Sequence, residues 1–112
     1  MSTLLEQVKQ GGGFTMTPQG ALLNVNFGYQ VGTELLHTVR VDDLTNGSFV
    51  ELVEELLKKI NNGEYLGAWL AGDRVILDKS VHITDYRLAM LKAEANQQMS
   101  IYDWCNRDCI WL

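Results

Sequence analysis

A dense group of polar and titratable side chains lies between residues 78 and 85 of the 112-residue sequence. Histidine ionises close to neutral pH, so His82 beside carboxylates is a candidate general base. A nucleophile such as Ser80 needs a base that a third group, here Asp85, holds in place, and the sequence does not show that the three converge. The same residue types build turns and helix N-caps, which is the simpler interpretation. The group consists of Asp78, Lys79, Ser80, His82, Thr84 and Asp85.

Residue types that bind metals are present, but not at the spacing of a metal site. A zinc site needs two close pairs of ligands, whereas Cys105 and Cys109 form one pair and His37 and His82 are isolated. Small residues packed in a terminal hairpin are the alternative role for the cysteines. The glycines at residues 11–13 lack the remainder of a phosphate-binding loop. We therefore predict neither a metal nor a cofactor.

The net charge of −5 is concentrated in one segment. Residues 34–55 carry six acidic side chains against the single basic Arg40, and the rest of the sequence is balanced. Such a segment opposes nucleic-acid binding and suits a basic protein partner. A solvated helix face that keeps the protein in solution is the alternative. The acidic residues predicted to bind a partner are Asp42, Asp43, Glu51, Glu54 and Glu55.

The end of the sequence is rich in aromatic and aliphatic residues. Tyrosine and tryptophan are enriched at protein interfaces because a large apolar body ends in a hydrogen-bonding group. Tyr102, Trp104 and Trp111 are therefore the second set of residues predicted to bind a partner. Only Arg107 lies near them, so stacking on nucleic-acid bases is not expected. Packing in the core and a homodimer formed by an exposed terminal strand are the alternatives.

Sequence periodicity predicts two helices and several short strands. Apolar residues between Phe49 and Ile60 recur at helical spacing after a capping box formed by Ser48 and Glu51. Thr84 is predicted to cap a second helix over residues 85–97. Strands are predicted at residues 14–17, within 21–31, and at 36–41, 65–70, 74–78, 99–104 and 109–112, while residues 1–12 are predicted as a flexible lead-in or a short helix.

The order of these elements predicts one α+β domain. From residue 36 it runs strand, helix, strand, strand, helix, strand, which is the split βαβ order of ferredoxin-like folds, with two helices on one face of an antiparallel sheet and an N-terminal hairpin in addition. An antiparallel sheet extended by that hairpin is the alternative. No apolar run approaches the roughly 18 residues of a membrane span, and two cysteines are too few for a disulfide-rich secreted scaffold. A soluble, cytoplasmic protein is therefore expected.

No single motif is specific among five short segments of the sequence, at residues 12–15, 65–69, 75–80, 95–97 and 100–103. Taken together, these segments resemble small accessory proteins of unknown activity that are encoded by bacteriophages and other mobile elements of actinobacteria. The resemblance spans most of the chain and implies a role in the host cytoplasm, but it brings no site residue. The last segment, residues 104–112, is longer and richer in cysteine and tryptophan than is expected for that group.

These observations favour a non-enzymatic module that binds a host or phage protein, for example to block a defence system. The binding surface would be the acidic helix face or the aromatic C-terminus. A small enzyme that uses a predicted loop at residues 78–85, with His82 as general base, is the first alternative. A structural protein whose role is self-assembly is the second.

Overall fold

The computed structural model describes residues 3–112, which form three α-helices, a short 3-10 helix and six strands. The predicted α+β class is confirmed. In chain order the elements are α1 (Leu4–Gly11), β1 (Phe14–Met16), β2 (Tyr29–Arg40), the 3-10 helix (Val41–Asp43), α2 (Asn46–Leu57), β3 (Tyr65–Ala71), β4 (Arg74–Ile83), α3 (Tyr86–Ala95), β5 (Ser100–Asp103) and β6 (Asp108–Trp111).

The six strands form one curled sheet in the order β1-β3-β4-β2-β5-β6, and every neighbouring pair is antiparallel. The long strands β2 and β4 pair along their whole lengths. Register shifts occur in β2 between Gly32 and Glu34 and again between Leu35 and His37. An extra residue at a bulge bends its strand and increases the local twist. The two shifts therefore curve the centre of the sheet.

Helix α2 begins earlier than the sequence pattern indicated. The Thr45 hydroxyl accepts a hydrogen bond from the Ser48 backbone N–H (3.1 Å), and the Thr45 backbone N–H donates to the Ser48 hydroxyl (2.9 Å). The predicted Ser48–Glu51 capping box is therefore wrong, because Thr45 takes the cap position and Ser48 supplies the reciprocal bond. The predicted apolar stripe is correct, and its most buried members are Phe49, Val53, Leu56 and Ile60.

The predicted strand within residues 21–31 and the predicted loop at residues 78–85 are wrong over most of their lengths. Residues 21–28 contain no strand, and only Leu22 forms an isolated bridge, with Met16. Gly28 has a positive φ of 79°, which turns the chain into β2 at Tyr29. The predicted strand at 36–41 is the later part of β2. The predicted loop at 78–85 is mostly strand, because β4 continues to Ile83.

Helix α3 and the terminal hairpin follow the predictions more closely. Asp85, not the predicted Thr84, is the N-cap of α3, and its carboxylate accepts from the Leu88 backbone N–H (3.0 Å). Strand β6 pairs back on β5, as predicted. Helix α1 occupies most of the segment predicted as a lead-in or short helix, and residues 1 and 2 of that segment lie outside the described residues.

The helices cover the sheet through two apolar clusters. The first joins α1 and α2 to β3 and β4, and the second joins α3 to β2 and β5. Alternate residues of β4 serve both clusters, with Val75 and Leu77 in the first and Val81 and Ile83 at the second. Alternate strand residues point to the same face. Among the described helices, none combines the length and the apolar character that a membrane span requires.

Candidate functional site

Two of the other alternate residues of β4 line a groove of about 1330 Å³. Asp78 and Ser80 lie on its floor, opposite Gly67 and Gly32 of the neighbouring strands. Directly opposed residues of antiparallel strands project from the same face. Aromatic side chains line the groove, including all three tryptophans of the chain: Trp69, Tyr102, Trp104 and Trp111.

The Asp78 carboxyl fits on the groove floor because the two residues beneath it are glycines. A Cβ atom at Gly67 would collide with Asp78 Oδ1. A Cβ atom at Gly32 would lie 3.4 Å from Asp78 Oδ2 and 2.7 Å from Gln98 Oε1. The carboxyl therefore lies over the backbones of β3 and β2, in space that a side chain at Gly67 or Gly32 would otherwise occupy.

The Asp78 carboxyl is partly buried and has altered acidity. Desolvation raises the pKa of Asp78 to about 7, and a hydrogen bond from the Trp69 side chain opposes this rise in part. None of the ion pairs among residues 3–112 includes Asp78. Its neighbour Lys79 points to the opposite face and pairs with Glu64 (3.7 Å). The groove thus contains a carboxyl group that changes charge near neutral pH.

A buried chain of hydrogen bonds fixes the floor beside Asp78. The Trp104 indole Nε1–H donates to Gln30 Oε1 (3.0 Å), and Gln30 Nε2 donates to Ser80 Oγ (2.9 Å). The Ser80 hydroxyl in turn donates to the Tyr65 carbonyl oxygen (3.5 Å). Within residues 3–112, no buried side-chain nitrogen or oxygen lacks a hydrogen-bond partner. This chain links β2, β3 and β4 to the turn after β5 and holds Ser80 in a structural role.

The turn between β5 and β6 forms one rim of the groove. Asp103 Oδ1 accepts from the backbone N–H of Cys105 (3.0 Å), which shapes the turn. The Arg107 guanidinium lies 5.8 Å from the centre of the Trp104 ring and donates to Asn24 Oδ1 (3.1 Å). Tyr102 packs edge-on against Trp104, with 5.1 Å between the ring centres. The rim is therefore tied both to the groove wall and to the loop before β2.

His82 does not meet the carboxylates that the enzyme hypothesis requires. His82 lies on the same face of β4 as Asp78, but four strand residues span about 13 Å. Its Nε2 atom lies 2.8 Å from the Phe27 carbonyl oxygen, and its ring packs edge-on against Phe27. Asp85 caps α3 instead. The hydrogen bonds described for residues 3–112 therefore contain no Ser80–His82–Asp85 array.

The two predicted sets of partner-binding residues lie on different surfaces. The aromatic set comes together at the groove, where Trp104 is buried, Tyr102 is half-buried and Trp111 is 70% exposed. The acidic set lies on α2 and the 3-10 helix, away from the groove lining, and all its members are exposed: Asp42, Asp43, Glu51, Glu54 and Glu55.

The cysteines and histidines remain apart in the described part of the chain. Cys105 and Cys109 are both exposed free thiols at the terminal hairpin. Across residues 3–112, no three side chains of His, Cys, Asp or Glu are grouped so as to hold a metal ion.

Several groove residues were not identified from the sequence. The alternation of Asp78, Ser80 and His82 with apolar Val81 and Ile83 is a strand pattern, and it was the available signal for their common face. No sequence signal joins Gln30 to Trp104, because the two are 74 residues apart. The unidentified residues are Gln30, Gly32, Gly67, Trp69 and Gln98.

Comparison of the chain with protein-family models, with curated proteins and with solved structures finds no match. The chemistry of the groove is therefore inferred from its own residues.

Proposed function

We propose that this protein is a non-enzymatic binding module that takes a segment of a partner protein into the groove. The observation that carries the proposal is the exposure of aromatic side chains on the groove wall, with Trp69 45% exposed and Trp111 70% exposed. Tryptophan is among the residues that contribute most to binding energy at protein interfaces. Burial of two such side chains beneath a partner would supply the apolar part of the affinity.

The size of the groove supports a polypeptide ligand. Its volume of about 1330 Å³ exceeds the range of roughly 300–1,000 Å³ that is usual for small-molecule sites. A fixed floor, held by the hydrogen bonds of Gln30, also reduces the entropy lost on binding. An extended segment of several residues fits these properties.

The acidic set has a supporting part in this proposal. Exposed charges outside a binding site steer a partner of opposite charge and raise the association rate more than the affinity. Glu51, Glu54 and Glu55 on α2 are exposed and would attract a basic partner. We propose a host or phage protein as that partner, with a phage or mobile-element accessory role in the cytoplasm, on the strength of the sequence resemblance alone.

The test is selection of binding peptides from a random display library on the immobilised full chain, followed by affinity measurements on variants. We expect Trp69→Ala and Trp111→Ala each to weaken a selected peptide about tenfold or more. Leu88→Ala removes a comparably exposed apolar side chain from α3 and is the matched control. Equal losses in all three variants, or none, would contradict the proposal.

A small enzyme is the second candidate, and the acidity of Asp78 is the observation in its favour. A carboxyl with a pKa of about 7 is suited to accept or donate a proton at neutral pH. The enzyme and the binding module differ in what becomes of a bound ligand. Mass spectrometry of a selected peptide after long incubation distinguishes them, and the binding module predicts an unchanged mass.

We also propose a finer description of the fold, in which β2, α2, β3, β4, α3 and β5 form a ferredoxin-like split βαβ unit. The spatial order β3-β4-β2-β5 and the use of alternate β4 residues by both apolar clusters support this assignment. Helix α1 and strands β1 and β6 would be additions to the unit. A crystal structure with α2 and α3 on opposite faces of the sheet would contradict it.

A further inference from the structure

Two acceptor oxygens meet at one point of the groove floor. Asp78 Oδ2 and Gln98 Oε1 both stand over Gly32, close enough that a Cβ atom there would contact each of them. The Gln98 amide nitrogen is already used in a hydrogen bond to the Asn96 carbonyl oxygen (3.3 Å), which leaves the amide oxygen for the groove. A ligand at this point must therefore bring hydrogen-bond donors.

The Asp78 carboxylate at this position lacks a cationic partner among residues 3–112. An ionised carboxylate accepts at about four positions, and within residues 3–112 Trp69 is the one side-chain donor that acts on the pKa of Asp78. No Lys, Arg or His of residues 3–112 forms an ion pair with Asp78. A cationic donor from outside would supply both the missing hydrogen bonds and the missing charge.

The aromatic walls favour a planar cation. A guanidinium stacks on indole rings and presents its N–H groups as a flat fork, whereas an ammonium is a compact point charge. Arg107 already lies 5.8 Å from the centre of the Trp104 ring in this groove. The groove wall therefore accommodates a guanidinium, and Trp69 offers a comparable surface beside Asp78.

We propose, relying on the binding function proposed above, that the groove recognises the guanidinium of an arginine side chain in an extended segment of a partner protein. Asp78 and Gln98 accept its N–H groups, and Trp69 flanks its plane. The net charge of −5 favours approach of a basic segment. The volume of the groove leaves room for the residues on either side of the arginine.

Binding should strengthen as Asp78 ionises. The pKa of Asp78 is about 7 and a guanidinium stays charged, so affinity should rise about tenfold between roughly pH 6 and pH 8. Other titratable groups lining the groove are Tyr102, Arg107, Asp108 and Cys109, and His82 follows on the same face of β4. The Asp78→Asn variant separates the contribution of Asp78 from these groups, because its pH dependence should be flat if Asp78 is responsible.

The experiment titrates the full chain with a five-residue peptide that carries one arginine between alanines, and follows the indole N–H resonances of the three tryptophans. Matched peptides carry citrulline, which has the same shape without charge, or lysine, and free arginine is a further ligand. At pH 8 we expect the arginine peptide to bind about tenfold more tightly than the citrulline and lysine peptides and than free arginine. Asp78→Asn should abolish the preference over citrulline, and Glu94→Gln, which removes one negative charge from an exposed position on α3 outside the acidic set, should preserve it.

Equal affinity for the arginine and citrulline peptides, or an unchanged preference in Asp78→Asn, would overturn the inference. Free arginine binding as tightly as the peptide would overturn the polypeptide part of it. The display selection keeps the two proposals distinct. Selected peptides that lack arginine but still shift the Trp69 and Trp111 indoles would overturn this inference and leave the binding function standing. Selected peptides that leave those indoles unchanged would contradict both.

Discussion

The two faces of the sheet use their side chains in different ways. The apolar face packs strand residues such as Leu66 and Leu77 in one cluster with Phe49 of α2, and all three side chains are fully buried. The open face carries glycines, tryptophans and polar groups, and one of these, Asp78, has an unusual acidity. The first face buries apolar surface and stabilises the fold. The second leaves apolar and charged surface unmatched, which supports the proposed binding function.

A similar contrast exists within the open face. The chain from Trp104 through Gln30 to Ser80 has every polar group paired. Asp78 and Gln98 instead direct acceptor oxygens over Gly32 without a cationic partner. We therefore expect changes in the paired chain to alter stability, and changes at Asp78 to alter pH dependence and ligand preference.

The largest effect should come from the first apolar cluster, which contains Phe49 of α2. Phe49→Ala removes a fully buried ring that packs edge-on against Phe14 at 6.1 Å, and it should lower the free energy of unfolding by about 3–5 kcal/mol. Urea denaturation measures the change. Val50→Ala alters the next residue, which is 40% exposed, and should cost less than about 1 kcal/mol. Similar losses at both positions would contradict the described orientation of α2.

The second-largest loss of stability should come from breaking the hydrogen-bond chain of Trp104, Gln30 and Ser80. Gln30→Leu keeps the side-chain size but leaves the Trp104 N–H without its acceptor and Ser80 without its donor, so unfolding should become easier by about 2–3 kcal/mol. Thermal denaturation at matched pH tests this. Gln10→Leu changes an exposed residue at the end of α1 and should have an effect within about 0.5 kcal/mol. A neutral Gln30→Leu would mean that the chain does not hold the groove floor.

Asp78→Asn should raise stability, but only at high pH. An unfolded aspartate ionises near pH 3.9, whereas the folded Asp78 has a pKa of about 7. The native protein therefore loses stability as pH rises from about 4 to about 7 and then levels off. The variant should be more stable by roughly 1–3 kcal/mol at pH 8, a range reduced for the partial exposure of the group, and unchanged at pH 4. Denaturation curves at both pH values test this, with Asp43→Asn as control, and a gain of equal size at both would contradict the pKa.

A smaller effect should reveal the contact between Gly67 and Asp78. Gly67→Ala places a Cβ atom against Asp78 Oδ1 and should cost about 1 kcal/mol, and most of that cost should disappear in an Asp78→Ala background. Gly47→Ala in α2 has room and should instead stabilise by about 0.5–1 kcal/mol. A double-mutant cycle by urea denaturation measures the coupling. Additive effects of Gly67→Ala and Asp78→Ala would exclude the contact.

Local patterns in the sequence were sufficient for much of the fold but not for the groove. The apolar spacing from Phe49 to Ile60 identified α2 because helical periodicity is a local property. Apolar and polar residues alternate within 21–28, and this pattern gave a wrong strand prediction. A strand also needs a partner strand, and this segment forms only the isolated bridge of Leu22 with Met16. The polar types of residues 78–83 suggested a loop, since the same residues form turns. Pairing with β2 overrides that preference.

The candidate site depends on contacts between distant parts of the chain. Tyr102, Trp104 and Trp111 were identified as interface residues by type, but their position beside Asp78 depends on the pairing of β5 with β2. Gly32 and Gly67 have no significance in the sequence until a carboxyl group is placed over them. The acidic residues of α2 were identified from the sequence because charge depends on residue type and not on the fold.

The most direct test of the binding face is nuclear magnetic resonance of the isotope-labelled full chain with a peptide selected by display. Every tryptophan lines the groove, whereas Glu51, Glu54 and Glu55 lie on α2. Binding in the groove predicts shifts of the Trp69 and Trp111 indole N–H resonances, with the amides of the three glutamates unchanged. Shifts of the glutamate amides with unchanged indoles would contradict the account.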